Sequence, residues 1–392
     1  MKKSYLLVAL GSLLVLASCE SGTSSTGGVG TSIGPVEGET IDAAAAATAL
    51  GTALEEIDLS GVKATVNLDG KANMQQEMVA YSSSNGETTF TLNADITTNN
   101  SFKNLTVNAE LGGLAAECTT ADLYGSAKLT GGYQATLDYV VTDDDGKVYT
   151  EEELKAFNIV LPPFDEINLP SLNEEVHVYG DKLYFDLSKG LSDFINNVIA
   201  ATSGTTTSQA PALDLTKFMS PVFGEVPLDL TTVSTTIAQI SSELDTYLPM
   251  VSMIGTASYT KGADGIYSIH VDVSEAQVKN LMVSLIVANV TTGQETEEEL
   301  AAMTQMISSL IAPISLGAWK IDLNYKNDGS YFALALTDIV VDGGINIPET
   351  VSMDFDIDLD LNVVIETGVT VDDSWEPTGD YLDLSGSAVP EA

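Results

Sequence analysis

The chain has 392 residues, with 56 Asp and Glu against 15 Lys and no Arg, for a formal charge of −41. That balance excludes a nucleic-acid binder, which needs a basic footprint, and the missing guanidinium excludes sites built on a bidentate carboxylate or phosphate clamp. Two His cannot supply most zinc sites unaided, and a 44% hydrophobic content is that of an ordinary globular protein rather than a disordered one.

The N-terminus reads as an address. Lys2 and Lys3 precede an apolar run over 5–16, too short to span about 30 Å of hydrocarbon as a helix. Small residues Ala17 and Ser18 follow, then Cys19. Leu16-Ala17-Ser18-Cys19 resembles the lipobox of bacterial lipoproteins. The resemblance implies diacylation of the Cys19 thiol and cleavage before it. Two acyl chains hold a membrane stably where one does so marginally, so the expected location is lipid-anchored on the extracytoplasmic face of the cell membrane. Losing Lys2 and Lys3 with the leader takes the formal charge from −41 to −43. Cys118 follows Leu114-Ala115-Ala116 and reads as a small buried hydrophobe; with Cys19 acylated, no disulfide is expected.

Residues 20–39 are rich in Gly, Ser and Thr and read as a flexible linker. Folded structure is expected from Thr40. An Ala-rich helix is predicted over 41–57, with Leu50, Leu54 and Ile57 at helical spacing. Alternation at period two then predicts strands over 61–68, 88–98, 104–111 and 133–141, with Asn85-Gly86 and Gly131-Gly132 as hairpin turns. Two strands flank Gly180-Asp181, and a helix follows with Leu191, Phe194, Ile195, Val198 and Ile199 on one stripe. A polar loop over 203–211 marks a boundary between halves. A helix near 232–248, a hairpin over 256–273, a helix capped by Ser274 and another opened by the Thr296/Glu299 capping box come next. Strands over 318–326, 331–341 and 351–366 close the series. The expected organisation is a signal peptide (1–18), lipidated Cys19 with its linker (19–39), a β-rich half (40–205), an α/β half of the same or a second domain (206–372) and a tail (373–392).

Few residues carry chemistry. Along 351–363 Met353, Phe355, Ile357 and Leu359 share one face, and Asp354, Asp356, Asp358 and Asp360 share the other, which reads as a solvated face rather than a cation ladder. Asp143 to Glu152 resembles part of an EF-hand loop, which implies Asp143, Asp145 and Glu152 as metal ligands. Its first ligand position holds Val141, however, and the same residues read as an Asp-Gly turn followed by a helix capped by Thr150 with Glu153. His177 and His270 face away from the apolar rows of their strands. No serine-hydrolase elbow, zincin motif or phosphate loop is present, so no enzyme and no cofactor is expected.

Lipobox, polar linker, N-terminal helix and long strands interrupted by amphipathic helices resemble the LolA/LppX-like superfamily of lipid-carrier lipoproteins, with 41–68 and 182–199 as the carrying stretches. The resemblance implies an α+β fold: a large curved antiparallel β-sheet, an open half-barrel, with amphipathic helices packed on one face. It implies a lipid or other hydrophobic ligand held by apolar side chains; those the strand and helix stripes offer are Phe194, Ile195, Val198, Met282, Leu285, Met353, Phe355 and Ile357. The rival reading is a surface-display or adhesion lipoprotein with no ligand cavity.

Overall fold

Apolar and polar residues alternate over most of the chain, and strands of that pattern pair so that one sheet face is apolar and the other wet. The computed structural model describes residues 33–383 apart from 85–88, 116–117, 158, 160–164, 181, 203–213, 222–226, 229–234, 242–243, 245–250, 252–253, 291–295 and 348–350. Its strands are β1 (Gly38–Thr40), β2 (Gly61–Ser84), β3 (Thr89–Gly112), β4 (Cys118–Thr119), β5 (Tyr124–Asp143), β6 (Glu166–Tyr179), β7 (Lys182–Asp186), β8 (Lys217–Pro221), β9 (Pro227–Leu228), β10 (Thr256–Gly262), β11 (Ile266–Val273), β12 (Trp319–Lys326), β13 (Tyr331–Ile347), β14 (Val351–Thr367) and β15 (Leu382–Asp383). Its helices are α1 (Ala43–Glu55), α2 (Glu151–Lys155), α3 (Lys189–Thr202), α4 (Glu275–Val290) and α5 (Glu297–Ile311). Residues 235–241 are also helical.

Among the described residues thirteen strands form one sheet, in the order β1-β10-β11-β12-β13-β14-β2-β3-β5-β6-β7-β8-β15, and it does not close into a barrel. Strands from both halves of the chain share it: β1 pairs with β10, and β14 with β2 along seventeen residues. One apolar row runs across seven strands through Ile269, Leu323, Leu334, Val363, Val66, Val107 and Leu129, and ends at Glu174 on β6.

β2, β3 and β5 are far longer than the alternation predicts, whereas β14 matches its expected span over 351–366 to one residue. The expected strands at 88–98 and 104–111 are one strand, β3, and Gly131-Gly132 lies inside β5 instead of turning a hairpin. The reason is a line of register shifts across the sheet. They fall between Leu336 and Ile339 on β13, between Lys103 and Thr106 on β3 and opposite Gly131–Tyr133 on β6. Asp338 (φ 60°) and Asn104 (φ 45°) take left-handed backbone there. Two side chains tie the irregularity down: Asp360 Oδ1 accepts the Asp338 N–H at 2.9 Å, and Asp69 Oδ1 accepts the Asn104 N–H at 2.7 Å. A Cβ at Gly131 would lie 2.3 Å from the Asn104 carbonyl oxygen, so only glycine fits. Bulges bend the strand that carries them and strengthen local twist.

The main core gathers Ala46, Ala47, Leu50 and Ala53 of α1, Val278 and Val283 of α4 and Ile307 and Ile311 of α5 against Ile269, Val271 and Val273 of β11. Tyr325 is fully buried there and its hydroxyl donates to the Ala46 carbonyl at 2.8 Å. Asp42, whose side chain accepts from the Ala45 N–H, caps α1, and the predicted capping boxes open α2 (Thr150/Glu153) and α5 (Thr296/Glu299). A second core lies at the far end of β2, β3 and β5, where Leu154 of α2 packs on Leu92, Ala94 and Val141.

The two ends of the chain depart from the expected linker and tail. Ile33 is buried against Ala333 and Ala335, the Asn324 side chain donates to the Gly34 carbonyl at 2.9 Å, and the chain reaches the edge as β1. Residues 33–39, expected as linker, therefore form a strap across the polar face. From Gly368 the C-terminal segment runs the opposite way: Gly368 N–H donates to the Asp58 carbonyl, Trp375 stacks on His177 and β15 pairs with β8. The Asn85-Gly86 turn and the 203–211 boundary lie outside the described residues.

Candidate functional site

The apolar strand rows expected from the alternation are present. Val341, Ile357 and Ala72 stand in one register row with Asn100, Ala135 and Ile167; Phe355, Met74, Thr98 and Leu137 form the next, and Ile345, Met353, Gln76, Ile96 and Tyr139 the one after. Bulge parity makes these rows the continuation of the apolar base row. Met353, Phe355 and Ile357 are each half-buried, as are Met74 and Ile96, and Met78 remains 38% exposed. The helices make their substantial contacts elsewhere: α1 with β10, β11 and β12, α5 with β13, and α3 with β6. At its two ends this face runs into the cores, Val341 and Ile345 packing against the main one and Ile96 and Tyr139 against the second; among the described residues Met353, Phe355, Ile357, Met74 and Leu137 between them belong to neither cluster.

Polar atoms on this face are few and engaged. Asn100 Nδ2 donates to the Ala72 carbonyl at 2.9 Å, and the Tyr133 hydroxyl donates to Asn100 Oδ1 at 3.0 Å. Phe102 stacks on Tyr133 with centroids 5.4 Å apart. At the far end Tyr81 and Phe90 meet Phe157 at 5.1 and 5.7 Å, closing that end with an aromatic cluster.

The structure does not bring the whole predicted set together. Phe194, Ile195 and Val198 lie half-buried on α3, which packs at β6, separated from β14 by three strands. Met282 packs against the main core, and Leu285 is helical with its side chain outside the described residues. The same rows add Met74, Ile96 and Leu137, which the expected set leaves out. Ile96 and Leu137 lie within the strands expected over 88–98 and 133–141, whereas Met74 lies beyond the strand expected over 61–68, because β2 runs on to Ser84.

Asp143, Asp145 and Glu152 are not gathered as ligands. Asp143 Oδ1 accepts the backbone N–H groups of Lys147 at 2.9 Å and Asp145 at 3.1 Å, and Oδ2 accepts the Tyr149 hydroxyl. The Lys147 amide leads in holding the Asp143 carboxyl below its ordinary range, a turn-organising role. Among the described residues no group of three His, Cys, Asp or Glu is placed to hold a metal ion. Asp354, Asp356, Asp358 and Asp360 do share the opposite face of β14, where Lys71 pairs with Asp356 at 2.6 Å. Cys118 is buried in β4, and Cys19 lies outside the described residues.

No protein-family model matches the chain, and no curated protein matches it. A solved structure, the β-barrel-like protein of a domain of unknown function from Brucella abortus, aligns at 10% identity over 75% of this chain and 98% of that one, with a TM-score of 0.11. That score carries no argument about fold. No helix among the described residues is long and apolar enough to cross a membrane.

Proposed function

We propose that the protein is a membrane-anchored extracytoplasmic lipoprotein, held through acylated Cys19, that binds a lipid or other hydrophobic ligand. Its body is read as a curved half-barrel whose helices share the apolar face and leave part of that face for the ligand. The observation that carries this reading is the half-buried apolar surface of β14, β2, β3 and β5, flanked by two separate cores. Bulges aligned across the long strands support curvature. Acyl chains laid on such a surface gain roughly 0.8 kcal/mol per buried methylene. The acidic exterior takes no part in gripping lipid; it keeps an apolar-faced protein soluble. Chemistry is not part of the reading: the protein is taken as a non-enzymatic carrier or binder.

The test is native mass spectrometry of the full chain extracted from bacterial membranes in mild detergent. Adduct masses of fatty acid or phospholipid, beyond the covalent acyl chains, are expected. A single mass at every detergent concentration, with no uptake of a fluorescent fatty acid, would retire the carrier reading in favour of surface display.

A further inference from the structure

The C-terminal strap assembles side chains that the lipid reading leaves unused. Lys128, Glu175, Asp186 and Lys217, from β5, β6, β7 and β8, stand side by side in one register row on the polar face. Two carboxylates directly opposite each other repel, and each has its own cation. Lys128 Nζ donates to Glu175 Oε1 at 2.5 Å, and Lys217 Nζ lies 3.1 Å from Asp186 Oδ1. The Tyr381 hydroxyl donates to Asp186 Oδ2 at 3.2 Å. From there rings continue outward: Tyr381 to Tyr184 at 5.1 Å, Tyr184 to Trp375 at 5.5 Å, and Trp375 flat on His177 at 4.1 Å. Beside the row opens a hollow of about 430 Å³, bounded by Asn173, Glu175, Asp186, Ser188, Thr216 and Lys217 with Leu187 as its apolar wall. That volume falls in the range of about 300–1,000 Å³ typical of small-molecule sites.

Charge decides what fits. The chain has nearly four acids per lysine, yet this row holds two carboxylates and two ammonium groups. An anion there meets Glu175 and Asp186, and a cation meets Lys128 and Lys217. A neutral molecule rich in hydroxyls meets neither penalty. It finds donors in Lys217, Asn173 and Ser188, the Thr216 hydroxyl being already given to Asp214 at 2.5 Å, and acceptor lone pairs on both carboxylates, at separations set by neighbouring strands. We propose that the hollow between β6, β7 and β8 is a binding site for a neutral polyhydroxylated ligand, a sugar unit, distinct from the apolar face and independent of it.

The experiment is isothermal titration of the full chain, in a sugar-free detergent, with glucose, N-acetylglucosamine and maltotriose, and with inorganic phosphate and calcium as charged probes. At least one sugar is expected to bind saturably at millimolar levels. Asp186→Asn and Lys217→Met should each weaken it by about tenfold, as the loss of a charge-assisted hydrogen bond does, while Asp356→Asn on the distant polar face leaves it unchanged. Tyr381→Phe, which keeps the ring and frees Asp186, gives a second variant should Asp186→Asn melt early. No saturable heat from any of the three sugars, binding that ignores all three site substitutions, or saturable binding of phosphate or calcium in place of sugar would each overturn the proposal.

Discussion

The two histidines sit in opposite electrostatic settings, His177 beneath Trp375 and His270 between two carboxylates. Burial beneath Trp375 pushes His177 below its ordinary value of 6.5, against the upward pull of Glu175 and Asp186. Burial also lowers His270, but Asp322 at 2.7 Å and Asp272 at 3.2 Å outweigh it and raise the imidazole above 6.5. The linkage signs therefore differ. A raised histidine adds stability that is full below pH 6.5 and fades as pH rises through its folded value. A lowered histidine removes stability as pH falls below 6.5, because the unfolded chain takes that proton first. Proton NMR of the two imidazole Cε1–H signals should show one midpoint on each side of 6.5. Both on the same side would contradict this assignment of partners.

At the scale of elements, the bulge line sets how strands run. Asn104 (φ 45°) sits where few side chains are at ease, and Asn is among those few. Asn104→Gly should leave stability within a few tenths of a kcal/mol, and Asn104→Val should cost about 1–3 kcal/mol, both read by urea denaturation. Equal losses would mean that the Asn side chain, not the backbone, is what the site requires. The same bulges explain how much was legible. On β3 the apolar positions are even at Leu92, Ala94 and Ile96 and odd at Leu105, Val107 and Ala109. A one-residue bulge reverses the alternation without ending the strand, and from sequence such a reversal looks like two strands and a turn. Capping boxes and helix stripes were legible because their signals are local. The pairing of β14 with β2 was not, because nothing in either strand records a partner almost 300 residues away. That Met353, Phe355 and Ile357 share one apolar face is legible from alternation alone; that Met74 and Ile96 stand in the rows beside them needs the register.

For the whole molecule, the two straps cross the polar face and carry edge strands of three and two residues. Edges that short give another chain little to pair with. The straps read as linker and tail because Gly, Ser, Thr and acidic residues dominate them; Ile33, Val371, Trp375 and Tyr381 are the residues that seat them. On the proposed anchoring, Cys19→Ala should move the protein from the membrane pellet to the soluble or unprocessed fraction and abolish labelling by a clickable fatty acid. Equal labelling of variant and wild type would contradict the anchor.

The central claim is that an acyl chain lies on the apolar face of β14, β2, β3 and β5. Irradiating the full chain with a diazirine-bearing fatty acid and mapping the modified peptides tests it most directly. The account predicts crosslinks at Met353, Phe355 or Ile357 and at Met74 or Ile96, suppressed by excess unlabelled fatty acid. Crosslinks that resist competition, or that fall on the opposite face among Asp354, Asp356 and Asp358, would contradict it.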